Sequence, residues 1–197
     1  MMRACFFAVF GYLCGSVLFA RLFSAAMGKD ILCSSKDGNP GTSNAFQYGG
    51  FFCGLLTLLG DLCKGFLPVW LFLRTEELPP LLPLVLAAPV LGHAFPVFYG
   101  FRGGKGIAVS FGCLLGLLPI WQPLAVFIGA FLFCSLVVRI KPHFQRTIAA
   151  YLAGLLLMAL THQAGAVMLG FSLIAAVVFL RLHLSKEPRE ALQVQLL

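Results

Sequence analysis

Two polar stretches of the 197-residue chain hold the residues best suited to chemistry. The first reads Ser35-Lys36-Asp37-Gly38-Asn39-Pro40-Gly41-Thr42-Ser43-Asn44. Gly38 and Gly41 let the backbone come close to a ligand, while Asn39, Thr42 and Asn44 add side-chain donors. Such a loop leading into a helix amino terminus can wrap phosphate oxygens. The same residue types also make an ordinary connecting turn. The second stretch, Tyr99-Gly100-Phe101-Arg102-Gly103-Gly104-Lys105-Gly106, brackets two glycines with Arg102 and Lys105, so that two cations converge on one anion and exposed amides complete the shell. A basic membrane anchor would explain its charges but not four glycines within seven residues. It lacks the GxxxxGK[ST] spacing of a P-loop. Asp61 and Lys64 stand three apart in an apolar segment, which puts them on one helix face and permits a local ion pair. That pair either pins helix packing or faces a polar cavity, because ionisable groups at membrane depth are costly elsewhere. His93 ends another apolar segment and is placed either to polarise a hydroxyl or to serve as a hydrogen-bonded structural residue. His143, His162 and His183 are scattered, and the seven cysteines form no CxxC pair, so no metal, disulfide framework or cofactor is expected.

The elements that must position these residues are membrane helices. Hydrophobic residues make up 60% of the chain and charged residues 11%, under half the charged share of an average soluble domain. The net charge of +7 would suit nucleic acid on one exposed face, but the basic residues fall in short clusters between apolar runs, so no nucleic-acid partner is expected. The runs are Cys5 to Met27, Gly49 to Leu73, Leu78 to Phe98, Ile107 to Leu118, Trp121 to Val138, Thr147 to Leu160 and Ala164 to Leu182. The expectation is an all-α integral membrane protein, one polytopic domain over residues 1–197 with about seven transmembrane helices. The fourth and sixth runs are short for a full crossing, so five or six crossings also fit; losing one hairpin would keep the sidedness. Alternating breaks put Lys29, Lys36, Arg102, Lys105, Arg139, Lys141, Arg146, Arg181, Lys186 and Arg189 on one side. Arg3, Arg74, Glu76 and Glu77 fall on the other. Excess Lys and Arg mark the cytoplasmic side, which predicts an outer amino terminus, an inner carboxy terminus and both polar stretches facing the cytosol of a cell-membrane protein.

At these residues the chain resembles the PlsY family, small membrane acyltransferases that move a fatty acyl group from acyl phosphate to glycerol 3-phosphate. Gly15-Ser16-Val17-Leu18-Phe19-Ala20 partly matches the family's first-helix pattern, Asp37 to Asn44 is similar to its first loop, and Asp61-Leu62-Cys63-Lys64-Gly65 meets its Asp-x-x-Lys-Gly stretch. The most specific match is Gly92-His93-Ala94-Phe95-Pro96-Val97-Phe98 with Phe101 to Gly106. The resemblance is clear from about Gly15 to Gly106 and topological beyond.

It implies Lys105 and His93 as catalytic residues. Substrates would be bound by Ser35, Gly38, Asn39, Gly41, Thr42, Asn44, Asp61, Lys64, Arg102, Gly103, Gly104 and Arg139. The partners implied are acyl phosphate, glycerol 3-phosphate and membrane lipid. The chain departs from the family at Gln47, where an arginine is usual, at Val138 to His143, which keeps an arginine but has Pro142 where a serine is usual, and in its tail, where no His/Asn pair follows Arg181. Lys141, His143 or Arg146 are candidates for replacement contacts. No histidine here has an aspartate five positions later, which argues against the His-x-x-x-x-Asp chemistry of other glycerolipid acyltransferases. Two rival readings stay open: a small-solute transporter, which predicts polar residues spread through the spans, and a non-catalytic relative of the acyltransferases.

Overall fold

The structure is a computed structural model that describes residues 2–74, 80–185 and 191–196. Glu76, Glu77, Lys186 and Arg189, which enter the charge pattern above, lie outside the described residues. The architecture is a helix bundle. Its helices are α1 (Met2–Ser16), α2 (Phe19–Ala26), α3 (Ile31–Ser34), α4 (Thr42–Gly49), α5 (Phe51–Leu73), α6 (Leu82–Ala94), α7 (Ile107–Leu115), α8 (Gln122–Leu132), α9 (His143–Leu160) and α10 (Gly165–His183).

Among the described residues, five helical stretches, Met2–Ala26, Phe51–Leu73, Leu82–Tyr99, His143–Leu160 and Gly165–His183, are long and apolar enough to cross a bilayer. The sixth run thus gains a turn over its sequence reading, because the helix starts at once after Pro142 and takes His143 to Arg146 into its first turn. The fourth does not: α7 has nine residues and rises about 14 Å at 1.5 Å per residue, half of the ~30 Å hydrocarbon thickness. The fifth run, helical over Gln122–Val137, is also shorter than the five.

Small residues set the crossings that matter for the site. A Cβ on Gly15 would fall on the Pro89 carbonyl and one on Gly92 on the Tyr12 carbonyl, so α1 and α6 meet backbone to backbone. In the same way Gly65 of α5 and Gly112 of α7 meet the backbones opposite, at Val109 and Leu62. Ser16 ends α1 by donating its hydroxyl to the Tyr12 carbonyl (2.9 Å), and its Oγ accepts the Val97 N–H (3.4 Å). At the centre of the bundle, the Phe127 ring lies 4.5 Å from Phe111, 4.7 Å from Tyr151 and 4.9 Å from Phe171, centroid to centroid, which joins α7, α8, α9 and α10.

The first loop, the glycine-rich turn and the carboxy-terminal end of α10 meet at one end of this bundle. Lys105 reaches the first loop, Arg181 of α10 reaches the glycine-rich turn, and Lys141 exchanges backbone hydrogen bonds with Gln193 of the tail. The first loop itself is fixed by Asp30, whose Oδ1 accepts the N–H groups of Leu32 (3.1 Å) and Cys33 (3.0 Å) and caps α3. Lys29 Nζ donates to the Gly49 carbonyl (2.5 Å) and closes the loop onto the end of α4.

Candidate active site

Between the first loop, α4, α5 and the glycine-rich turn lies a cavity of about 560 Å³. Its polar wall includes Lys36, Asp37, Asn39, Thr42, Asn44, Asp61, His93, Lys105 and His143; its apolar wall includes Leu58, Ile107, Phe111 and Phe131. A second hollow, about 370 Å³, shares Leu58, Ala108, Phe111 and Phe131 with the first and continues past Leu62, Leu115, Leu124, Ile128 and Leu132. A polar chamber therefore adjoins an all-apolar groove between α5, α7 and α8, with four residues lining both.

The chamber is built around two Lys–Asp pairs. One is internal to α5: Lys64 Nζ lies 2.8 Å from Asp61 Oδ1, with both side chains buried. Lys64 also donates to the Val17 carbonyl exposed where α1 breaks (2.7 Å) and sits 2.8 Å from His93 Nδ1. An ammonium at Lys64, paired with Asp61, requires Nδ1 to accept and so places the ring proton on Nε2. Gly104 has no Cβ to cover that Nε2; a Cβ there would run into it. The Gly104 N–H donates to the His93 carbonyl (3.0 Å), and a Cβ on Gly103 would strike the same carbonyl. The two glycines thus serve first to let the turn lie flat on His93.

The second pair joins elements distant in sequence. Lys105 Nζ donates to Asp37 Oδ2 at 2.9 Å across 68 positions. Asp37 Oδ1 accepts the Asn44 side-chain amide (2.8 Å) and the Asn39 N–H (3.2 Å), and Asn44 donates as well to the Asn39 carbonyl (2.9 Å). Burial works to raise the Asp37 pKa, but the Asn44 amide, the Lys105 ammonium and the Asn39 N–H outweigh it and hold the carboxyl below its usual range. Thr42 links the two pairs by donating to Asp61 Oδ2 (3.3 Å).

Of the residues expected from the sequence, His93, Lys105, Asn39, Gly41, Thr42, Asn44 and Asp61 line the chamber, and Lys64 stands behind Asp61. Gly38 takes a left-handed φ of +60° at the turn before Asn39, as a glycine allows. Ser35 turns its hydroxyl to the Leu32 carbonyl. Arg102 and Arg139 are exposed at the chamber's end of the bundle and are not part of its lining; Arg139 Nε donates to the Leu136 carbonyl. Of the three candidates for replacement contacts, His143 lines the chamber, as does Gln47.

Sequence reasoning missed Asp37 and Arg181. Asp37 carried a signal, an Asp two residues before an Asn within a glycine turn, which fits the side-chain-to-backbone turn it makes. Arg181 carried none. Its Nε (3.2 Å) and Nη2 (2.6 Å) both donate to the Gly103 carbonyl, 78 positions away, and pin the turn that bears Lys105.

A solved structure of PlsY, an integral membrane glycerol 3-phosphate acyltransferase, in its glycerol 3-phosphate form has the same fold with a TM-score of 0.76, 28% identity and coverage of 90% of this chain and 87% of that one. Its lysophosphatidic acid form gives a TM-score of 0.74. The glycerol-3-phosphate acyltransferase of Paraburkholderia phytofirmans is 44% identical over 117 residues, 57% of this chain and 55% of the relative. That of Methylobacillus flagellatus is 42% identical over 120 residues, 61% of each. The matched stretch thus spans between half and two thirds of these relatives' length. The profile of the glycerol-3-phosphate acyltransferase family matches residues 5–189, nearly the whole of this sequence. With the PlsY fold, the buried α5 pair and the glycine-rich turn in place, the chain belongs to the glycerol-3-phosphate acyltransferase family.

Proposed function

We propose that this protein transfers a fatty acyl group from an acyl phosphate to the 1-hydroxyl of glycerol 3-phosphate, giving lysophosphatidate and inorganic phosphate. The observation that carries the reading is the adjacency of the chamber and the apolar groove, which share Leu58, Ala108, Phe111 and Phe131 in their linings. Charged head groups fit the wet end, and an acyl chain fits the dry one.

The chemistry asks little of the protein beyond placement and charge. An acyl phosphate is already activated. The glycerol oxygen bonds to the carbonyl carbon, the bond from that carbon to the phosphate oxygen breaks with its electron pair going to phosphate, and the phosphate takes up the hydroxyl proton. No covalent intermediate on the protein is required. Catalysis then comes from holding donor and acceptor together and neutralising the leaving group.

In this reading Gly38, Asn39, Gly41, Thr42 and Asn44 hold the donor phosphate and Lys105 neutralises it. His93 donates through Nε2 to a substrate oxygen, a role its tautomer suits better than that of a base. Asp61 and Lys64 hold Thr42 and His93 in register. Gly103 and Gly104 seat the turn, Arg102 and Arg139 add positive potential at the mouth, and His143, Gln47 and Ser35 lie toward the acceptor side. The protein resides in the cell membrane with its amino terminus outside and its tail inside. The short α7 and α8 pass as a hairpin, and the chamber opens to the cytosol beside its two phosphorylated substrates.

The test is turnover by the purified chain. Supplied with palmitoyl phosphate and radiolabelled glycerol 3-phosphate, it should release labelled lysophosphatidate and one phosphate per acyl group transferred. Product from a palmitoyl thioester instead, or no product from either donor, would refute the assignment.

A further inference from the structure

The donors expected to grip a substrate phosphate already hold an anion, and that anion belongs to the chain. The two oxygens of Asp37 take up Lys105 Nζ (2.9 Å), the Asn44 amide (2.8 Å) and the Asn39 N–H (3.2 Å), which are donors from the loop and the turn that form the cradle. The side chains of Lys105 and Asp37 are 10% and 12% exposed, and both line the chamber. The loop does not depend on this carboxylate alone, since Asn44 also donates to the Asn39 carbonyl and Thr42 to Asp61. By contrast, the neighbouring Asp61, which also lines the chamber, is only 2% exposed and is paired with Lys64 within one helix turn.

We propose that the Asp37 carboxylate is a built-in occupant of the phosphate cradle, displaced from Lys105 and from the Asn39 and Asn44 donors when a phosphorylated substrate binds. This rests on the reading of the chamber as a site for phosphorylated substrates and adds which residue sets its affinity. A phosphoryl group presents more oxygens and more charge than a carboxylate, so it can take over the same donors. Freeing Asp37 costs part of that gain, which weakens phosphate binding. After acyl transfer the carboxylate returns to Lys105 and helps the product phosphate leave.

The experiment uses the full chain purified in lipid nanodiscs, with inorganic phosphate as the probe, read both as inhibition of turnover and by calorimetric titration. Asp37→Asn removes the charge while its side-chain oxygen still accepts the Asn39 N–H. It should bind phosphate about tenfold more tightly and lower the KM for the acyl phosphate. Asp37→Glu keeps the charge and should stay close to the parent protein. If Asp37→Asn does not fold, Asp37→Ser takes its place with the same expectation. Unchanged or weaker phosphate binding by the neutral variant, with turnover intact in the parent, overturns the inference alone. So does a fall in kcat with KM unchanged, which would make Asp37 a positioning residue for Lys105. Absence of both turnover and phosphate binding in the parent and the variant instead refutes the function on which the inference stands.

Discussion

The two Lys–Asp pairs of the chamber are alike in chemistry and opposite in construction. Asp61–Lys64 lies within one helix turn of α5, both side chains are nearly inaccessible, and the lysine is held on three sides by Asp61, the Val17 carbonyl and His93. Asp37–Lys105 bridges two separate loops and stays in touch with the chamber. A charge buried with all its partners fixed cannot be exchanged for a ligand without a large desolvation cost, whereas a pair at a cavity wall can. The first pair is built as a frame, and the second is the one proposed to exchange with a ligand. The lesson is that a lysine's usefulness to a substrate depends on how completely the protein already satisfies it.

The largest expected break in this comparison comes from Lys64→Ala. It strands the buried Asp61 carboxylate and frees His93, and should cost about 3–5 kcal/mol of folding stability, read as a large drop in the thermal midpoint in detergent. Next comes Arg181→Ala, which removes both donors from the Gly103 carbonyl. Loss of hydrogen bonds from a charged group predicts about 1.5–3 kcal/mol. The loss should appear as at least a tenfold fall in kcat/KM, with Arg181→Lys recovering part because an ammonium offers a point charge without the fork.

The smallest effect is on pH. Because Asp37 has its folded-state pKa depressed, its contribution to stability is fully present above the unfolded carboxylate value of about 3.9 and is lost as pH falls through the lower folded value. The difference in stability between the parent protein and Asp37→Asn should be flat from pH 8 to pH 5 and shrink only once the pH falls below about 3.9. It should amount to about 0.2–1 kcal/mol. A difference that grows on acidification would contradict the ion pair.

Much of the framework was legible in the chain. The apolar runs became helices because each buries or presents to lipid nearly every side chain it carries, and the Asp61–Lys64 pair followed from the helical repeat alone. The spans were less so. Hydropathy cannot say where a helix stops inside an apolar run, and α7 ends at Leu115 although its run continues to Leu118. In the other direction α9 recruits His143, Gln145 and Arg146, polar residues that lie ahead of the apolar run beginning at Thr147.

The site was legible as two stretches but not as one chamber. The Asp37–Lys105 and Arg181–Gly103 contacts span 68 and 78 positions, and no local spacing encodes such a meeting. Glycine was also ambiguous. At Gly103 and Gly104 the sequence suggested amides facing a ligand, whereas the packing shows backbone laid against His93. Only the three-dimensional neighbours distinguish these uses of the same residue.

The account stands on Lys105 as the exchangeable cation of the cradle, and Lys105→Ala measured for turnover and thermal midpoint together tests it most directly. Loss of a preorganised charge at the leaving phosphate should lower kcat/KM about 10²–10³-fold while the midpoint moves by no more than a few degrees. Turnover within twofold of the parent protein, from a variant that is folded, would contradict it.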